Sequence, residues 1–330
     1  MKNDSEDALP DFSHLTPDVV LNLVEETLGR RCSNLCRSLT SYINRVYEVE
    51  LEEGGWVIAK FYRPGRWSRE ALQDEQDFLA ELHEREIPVV APMPSSAGKT
   101  LNDYHGIYFA LFPKKGGRIC DEPNPQQWLE LGRLLARMHG VGALHPPRER
   151  IRIHPQISTK QHLEYTLLSD FVVPGLQERY ETAVRAVTDL IAPLFDGVEN
   201  IRIHGDCHFG NILQRPGEPF HLIDFDDMAA GPAVQDLWML LPGHLRQSQV
   251  EMDLLLEGYE TFQTFNPKWL QLIEPLRAMR FIHFTAWCAR QKRDGGFARL
   301  APGWGTEAYW QQEIHDLEQQ RQEIIDALEG

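Results

Sequence analysis

A chain of 330 residues is too long for one core of ordinary size, so two domains or two lobes are expected. Its 49 Asp and Glu outweigh 33 Lys and Arg, and the net charge of −16 excludes nonspecific binding to DNA or RNA, which needs clustered cations on phosphate. There is no apolar run of about 18 residues and no apolar signal core in the N-terminal MKNDSEDALPDFSHL, so no membrane span and a cytoplasmic location are expected.

Residues Thr16 to Gly29 predict a helix, with Thr16 as N-cap, Pro17 at the first helical position and Gly29 closing it. The odd number of cysteines, five, fits a reducing compartment better than a disulfide framework. Cys32 and Cys36 fall in an expected helix end or loop, and no second cysteine pair completes a zinc site. Leu39 to Glu50 and Trp56 to Tyr62, joined through Gly54-Gly55, predict a hairpin whose second strand holds Lys60 among apolar neighbours. Ser68 to Glu86 predicts a helix carrying Glu75, ended by the Pro-rich IPVVAPMPSS. Lys99 to Leu101 and Ile107 to Phe112 predict a second hairpin, and Pro113 to Gly117 a connector. A domain boundary is therefore expected near it, with residues 1–113 before and 114–330 after. Beyond it the pattern turns helical, at Pro125 to His139, Ser158 to Leu168, Leu176 to Phe195, and from Ala233 to the end.

The chemistry concentrates in Ile201 to Asp227, IRIHGDCHFGNILQRPGEPFHLIDFDD. Strand-like runs at 200–203, 211–214 and 220–223 flank the turn Arg215 to Glu218, which implies a hairpin with carboxylates at both ends. Asp206 and Asn211 form D-x-x-x-x-N, and Asp224 follows at the end of an apolar run. Phosphoryl transfer needs a carboxylate to orient and deprotonate the accepting hydroxyl. It also needs a carboxylate and a neutral oxygen donor to hold magnesium on the ATP phosphates. Asp206, Asp224 and Asn211 supply these. Lys60, costly on an apolar strand unless paired, has Glu75 as its candidate partner and suits the α- and β-phosphates. Asp226 and Asp227 crowd Asp224; three such acids repel one another without a divalent cation, which points to metal at this turn with Asp224 as the ligand. His204 is assigned to holding the loop, and adjacent Cys207 and His208 on one turn do not aim at a common ion.

The order of Lys60, Glu75, His204-Gly205-Asp206-Cys207-His208-Phe209-Gly210-Asn211 and Ile223-Asp224-Phe225-Asp226-Asp227 resembles the aminoglycoside phosphotransferase and choline kinase superfamily, which shares the protein kinase fold. SYINRVYEV, VIAKFYRPGRWS, IHGDCHFGNIL and GPAVQDLWMLLPG are similar, more closely, to the bacterial stress response kinase A family of cytoplasmic Ser/Thr protein kinases, over about residues 13 to 325. The resemblance implies an α+β, two-lobed protein-kinase-like fold, with a small β-rich N-lobe, a larger helical C-lobe and ATP in the cleft. It implies Asp206 as catalytic base, Asn211 and Asp224 as magnesium ligands, Lys60 on the phosphates with Glu75 as its partner, and Asp236 on the catalytic-loop backbone. Gly205 stands where protein kinases carry an Arg. There is no G-x-G-x-x-G loop; Ser41 to Arg45 occupies its place, with the Ser41 hydroxyl and Arg45 as phosphate contacts.

The expected activity is an ATP- and Mg2+-dependent kinase acting on Ser or Thr of proteins, itself included, in a stress response, with a monomer favoured. The alternatives are a small-molecule kinase of the homoserine, choline or aminoglycoside type, and, from another class, a pseudokinase that only binds nucleotide.

Overall fold

The structure, a computed structural model, describes residues 11–120, 122–294 and 296–329. The chain forms two units, one from Met1–Asn124, Gly140–Arg150 and His208–Met228, the other from Pro125–His139, Ile151–Cys207 and Ala229–Gly330. Where the sequence reading cuts the chain once, near residue 113, these units each draw on three segments.

In the first unit, α1 (Pro17–Leu28) begins and ends as its residues dictate. Thr16 Oγ1 accepts from the Val19 amide, and Gly29 takes the left-handed conformation at φ 66°. An antiparallel sheet follows, in the spatial order β1 (Cys32–Leu39), β2 (Arg45–Leu51), β3 (Trp56–Phe61), β5 (Ile107–Pro113), β4 (Asn102–Tyr104). Val20 and Val24 of α1 pack on Val49, Val57, Phe61 and Leu111 of its inner face. Ser68 caps α2 (Arg69–Glu84), which buries Leu72, Phe78, Leu79 and Leu82. A second, three-stranded sheet orders β6 (Arg118–Ile119), β8 (Ile212–Gln214) and β9 (His221–Leu222), which is how residues 208–228 come to group with the N-terminal sheet.

Three expectations are corrected. Cys32 and Cys36 lie on β1, not at a helix end. This edge strand is mostly exposed and bulged between the two cysteines, so it lacks the alternation that marks a strand. Lys99 belongs to a turn with Ser95 and Gly98, and the hairpin strand starts later, at Asn102. It is closed by His105 and Gly106, both at positive φ. The hairpin across residues 201–223 is two separate pairings: β8 pairs with β9, whereas β7 (Ile201–Ile203) pairs with β10 (Ala229–Gly231) in the second unit. Short buried runs do not declare their partners.

The second unit is helical: α3 (Pro125–Gly142), through its part up to His139, α4 (Lys160–Leu168), α5 (Gln177–Ile191), α6 (Val234–Trp238), α7 (Gln249–Tyr259), α8 (Ile273–Gln291), α9 (Phe297–Leu300) and α10 (Glu307–Glu329). Helices α3 and α7 meet backbone to backbone. A Cβ on Gly132 would lie 2.1 Å from the Leu255 carbonyl oxygen, and one on Gly258 would lie 2.2 Å from that of Leu129. Trp310 fills the centre among Tyr180, Trp304 and Tyr309, its indole donating to the Phe171 carbonyl at 2.9 Å. Among the described residues no helix is long and apolar enough to cross a membrane. All five cysteines are free thiols.

Candidate active site

In the first unit the centre of the site is Lys60, near the end of β3, opposite Val46 on one side and Ala110 on the other. Its Nζ lies 2.8 Å from Asp224 Oδ1, 3.3 Å from Asp226 Oδ1 and 4.0 Å from Glu75 Oε1. Burial opposes the charged amine. Asp224, Asp226 and Glu75 outweigh it and hold the Lys60 pKa well above its ordinary value, so the side chain is an ammonium ion. The expected Lys60–Glu75 pair is thus the longest of these contacts. Glu75 has closer partners of its own: Arg150 Nη2 at 2.9 Å and the Tyr62 hydroxyl, which donates to it at 3.0 Å. Burial pushes the Glu75 carboxyl up despite Lys60 and Arg150. Arg150 also donates to the Ala71 carbonyl on α2 and to the Asp226 carbonyl, at 2.7 and 2.6 Å, so it ties α2 to the turn that carries Asp224.

That turn places the three neighbouring acids differently. Asp224, in the left-handed region at φ 60°, keeps its side chain about half exposed beside Lys60. Asn211 stands next to it, because the Ile223 amide donates to the Asn211 carbonyl at 3.0 Å. The Asn211 carboxamide nitrogen lies 3.5 Å from His208 Nε2, and Gly210 leaves the space that the His208 ring needs, since a Cβ there would fall 2.7 Å from it. Asp226 is only 4% exposed and pairs with Arg66, whose other arm reaches Asp227 at 2.6 Å. The three acids therefore do not require a divalent cation to coexist, as their crowding in the sequence suggested: Arg66 and Lys60 already balance them. Among the described residues no group of three His, Cys, Asp or Glu side chains is arranged to hold a metal ion. Asp224 and Asn211 nonetheless present a carboxylate and a carboxamide oxygen, the hard donors that magnesium takes alongside phosphate oxygens, and they fit that ion. Ser41 is half-buried in the loop between β1 and β2, while Arg45 is exposed with its guanidinium 5.1 Å from the Phe12 ring.

In the second unit β7 leads into His204, which is fully buried and whose Nδ1 accepts from the Asp206 amide at 3.3 Å. The loop then turns at Gly205, φ 82°, a conformation that only glycine adopts without strain. Asp236, buried on α6, accepts from the His204 amide at 2.8 Å and the Gly205 amide at 2.9 Å, so it holds the loop backbone as the resemblance implied. His139 backs Asp236 at 3.0 Å and contacts the Tyr259 hydroxyl at 3.1 Å on its other nitrogen. Asp206 Oδ1 accepts from Arg280 Nη2, on α8, at 2.6 Å. Arg280 also lines a cleft of about 230 Å³ with Phe281, Phe284, Glu313 and Asp316. Cys207 is buried, and burial, with Asp236 and Asp206 adding to it, pushes its thiol well up, which keeps it protonated.

Arg280, His139, Arg150, Arg66 and Asn44 are absent from the residues read from sequence. Each acts across a long stretch of chain; Asn44, inside SYINRVYEV, and Arg66, inside VIAKFYRPGRWS, stood within recognised stretches without a role of their own.

The model of the phosphotransferase enzyme family matches residues 36–273. Stress response kinase A of Escherichia coli (strain K12) is 38% identical over 91% of this chain and 90% of its own length. The serine/threonine protein kinase RdoA of Salmonella typhimurium is 35% identical, over 92% and 91%. Among solved structures, amicoumacin kinase hAmiN in complex with AMP-PNP, Ca2+ and Ami superposes with a TM-score of 0.71 at 20% identity, covering 94% of this chain and 93% of the other. Choline kinase LicA from Streptococcus pneumoniae gives 0.63 at 16% identity, covering 92% and 98%. At such identities these two likenesses speak to fold, which is the α+β kinase-like fold expected from the sequence.

Proposed function

The chain belongs to the phosphotransferase enzyme family and, within it, to the stress response kinase A family, and from that premise we propose that it transfers the γ-phosphate of ATP to Ser or Thr hydroxyls of proteins. The observation that carries the nucleotide half of this reading is Lys60, a buried ammonium held 2.8 Å from a half-exposed carboxylate, Asp224. A phosphate chain would offer Lys60 a further anionic partner beside its three carboxylates, and Asp224 with Asn211 would hold Mg2+. The bound ion would offset charge on the phosphates as it shifts.

Asp206 takes the acceptor role. Its carboxylate accepts the hydroxyl proton while the hydroxyl oxygen bonds to the γ-phosphorus and the bond to the bridging oxygen of ADP breaks. His204 and Asp236 set the loop that aims this carboxylate, and Arg280 fixes one of its oxygens. Ser41 and neighbouring amides would cover the phosphates. Arg45, turned toward Phe12, would reach them only after leaving that ring.

A protein acceptor is supported by the name of the Salmonella relative and a stress role by that of the Escherichia coli one; a cytoplasmic site of action belongs to the same proposal. A small hydroxylated acceptor is the second reading, favoured by the cleft beside Arg280, which has the volume of a small molecule and two acids, Glu313 and Asp316, on its wall. Labelled ATP with Mg2+, offered to the protein alone, to a general protein substrate and to a panel of amino alcohols, separates the two. Label on protein upholds the first reading, and label only on a metabolite replaces it. Asp206→Asn is expected to lower transfer by about 10²- to 10⁴-fold with nucleotide binding retained; a fully active variant would remove Asp206 from the mechanism.

A further inference from the structure

Asp226 is two residues from Asp224 and faces the same lysine, yet its surroundings are those of a structural anchor. Four groups from three separate segments close on it. Asn44 Nδ2 donates to Oδ2 at 3.3 Å, Arg66 pairs with the same oxygen, Lys60 faces Oδ1 at 3.3 Å, and Arg150 donates to its carbonyl at 2.6 Å. Asn44 and Arg150 are themselves buried, 5% and 6% exposed. Asn44 ends the loop between β1 and β2, the loop that stands where phosphates are to be covered. Its own Oδ1 accepts from the Arg63 amide at 3.1 Å, in the turn that follows β3. The loop at 40–44, the turn at 63–66 and the turn at 224–227 thus meet on one carboxylate.

We infer that Asp226 is a positioning residue and not a metal ligand: it ties the phosphate-covering loop to the Asp224 turn, so that the two move as one body when nucleotide enters. The inference rests on the ATP-site reading for its function, but the tie itself is a property of the protein alone. Desolvation argues for the division of labour. A metal ligand has to give up protein partners for the ion, and Asp226 would then leave the buried Asn44 amide without its acceptor and take from Arg66 one of its two carboxylates. Among the described residues Asp224 pairs with Lys60 and keeps about half of its side chain in solvent. The rival role would act through Asp226 Oδ1, which faces Lys60 without a hydrogen bond.

The test uses a fluorescent ADP, titrated with and without Mg2+, on wild type, Asp224→Asn, Asp226→Asn, Asn44→Ala and the Asn44→Ala/Asp226→Asn double variant. Asp224→Asn is expected to lose the gain in affinity that Mg2+ confers. Asp226→Asn and Asn44→Ala should each weaken metal-free ADP binding by about tenfold while keeping that gain, and the double variant should be no worse than the single ones, because both cut one tie. Loss of the Mg2+ gain in Asp226→Asn with metal-free affinity intact would make it a ligand, and additive effects would dissolve the tie. Amide hydrogen exchange of residues 41–44 in the nucleotide-free protein gives a separate reading, expected faster in Asp226→Asn and in Arg66→Met, the latter serving if Asp226→Asn fails to fold. Unchanged exchange overturns the inference. Wild type that binds no ADP instead overturns the ATP-site reading, and the exchange experiment still decides on the tie.

Discussion

Arg280 and Asp206 are joined by a hydrogen bond, Nη2 to Oδ1 at 2.6 Å, between helix α8 and a loop, His204 to Asn211, that has no Lys or Arg of its own. A charge-assisted bond of this kind fixes the orientation of the carboxylate it meets. Arg280→Met is expected to lower kcat by about ten- to a hundredfold with little change in the KM for ATP. Arg280→Lys, which keeps charge but not the fork, should fall between. Steady-state kinetics on both variants checks this, and an unchanged kcat in Arg280→Met would leave the bond without a catalytic purpose.

Asp236 carries two buried backbone donors and His139. Asp236→Ala leaves all three without an acceptor, so unfolding free energy should drop by about 3 kcal/mol and activity should fall with it. Asp236→Asn retains one acceptor oxygen and should lose less. Urea denaturation of the two variants, read beside their kcat, tests the order.

Lys60 is a buried cation facing three carboxylates. Lys60→Met removes a cation shared by Asp224, Asp226 and Glu75; Arg66 and Arg150 still pair with the two buried acids, so the loss should be about 1 to 3 kcal/mol. The variant should therefore be both inactive and markedly less stable. Lys60→Met/Glu75→Gln should be less stable still, because it also takes the carboxylate from the buried Arg150. Thermal melts of the single and double variants make the comparison.

Glu313 gives a pH dependence with a definite sign. Burial lifts its carboxyl from 4.5 to about 7, against hydrogen bonds from Thr285 and Tyr309. The folded state then binds more protons than the unfolded one between about pH 4.5 and 7, so this group lowers stability as pH rises through that window. Glu313→Gln should be more stable than wild type at pH 8, by about 3 kcal/mol at most, and the gap should close toward pH 4.5. Denaturation midpoints of both proteins across pH 4.5 to 8 measure it, and a gap that widens on acidification would contradict the sign.

Much of this architecture was legible because the signals were local. Thr16, Pro17 and Gly29 mark both ends of α1, and Lys60 among apolar strand residues marks a paired cation. The stretch from His204 to Asp227 shows its polar residues at strand ends. What escaped was set by distance along the chain or by exposure. Arg280 reaches Asp206 across 74 positions and Arg150 reaches Glu75 across 75, and no spacing rule covers either. The edge strand β1 is too polar to alternate. Lys60 shows a further limit: the sequence offered Glu75 as a partner, but three acids compete for that ammonium and only the folded chain ranks them.

Asp224 sits at φ 60° and ψ 66°, a backbone setting that asks about 1 kcal/mol of any side chain and nothing of glycine. Backbone relaxation and phosphate chemistry thus make opposite demands on one codon. A library of this gene screened only for thermal survival would weigh that backbone relief against the lost 2.8 Å partner of Lys60, and any glycine it kept at position 224 would, on the function proposed above, no longer hold a nucleotide's metal.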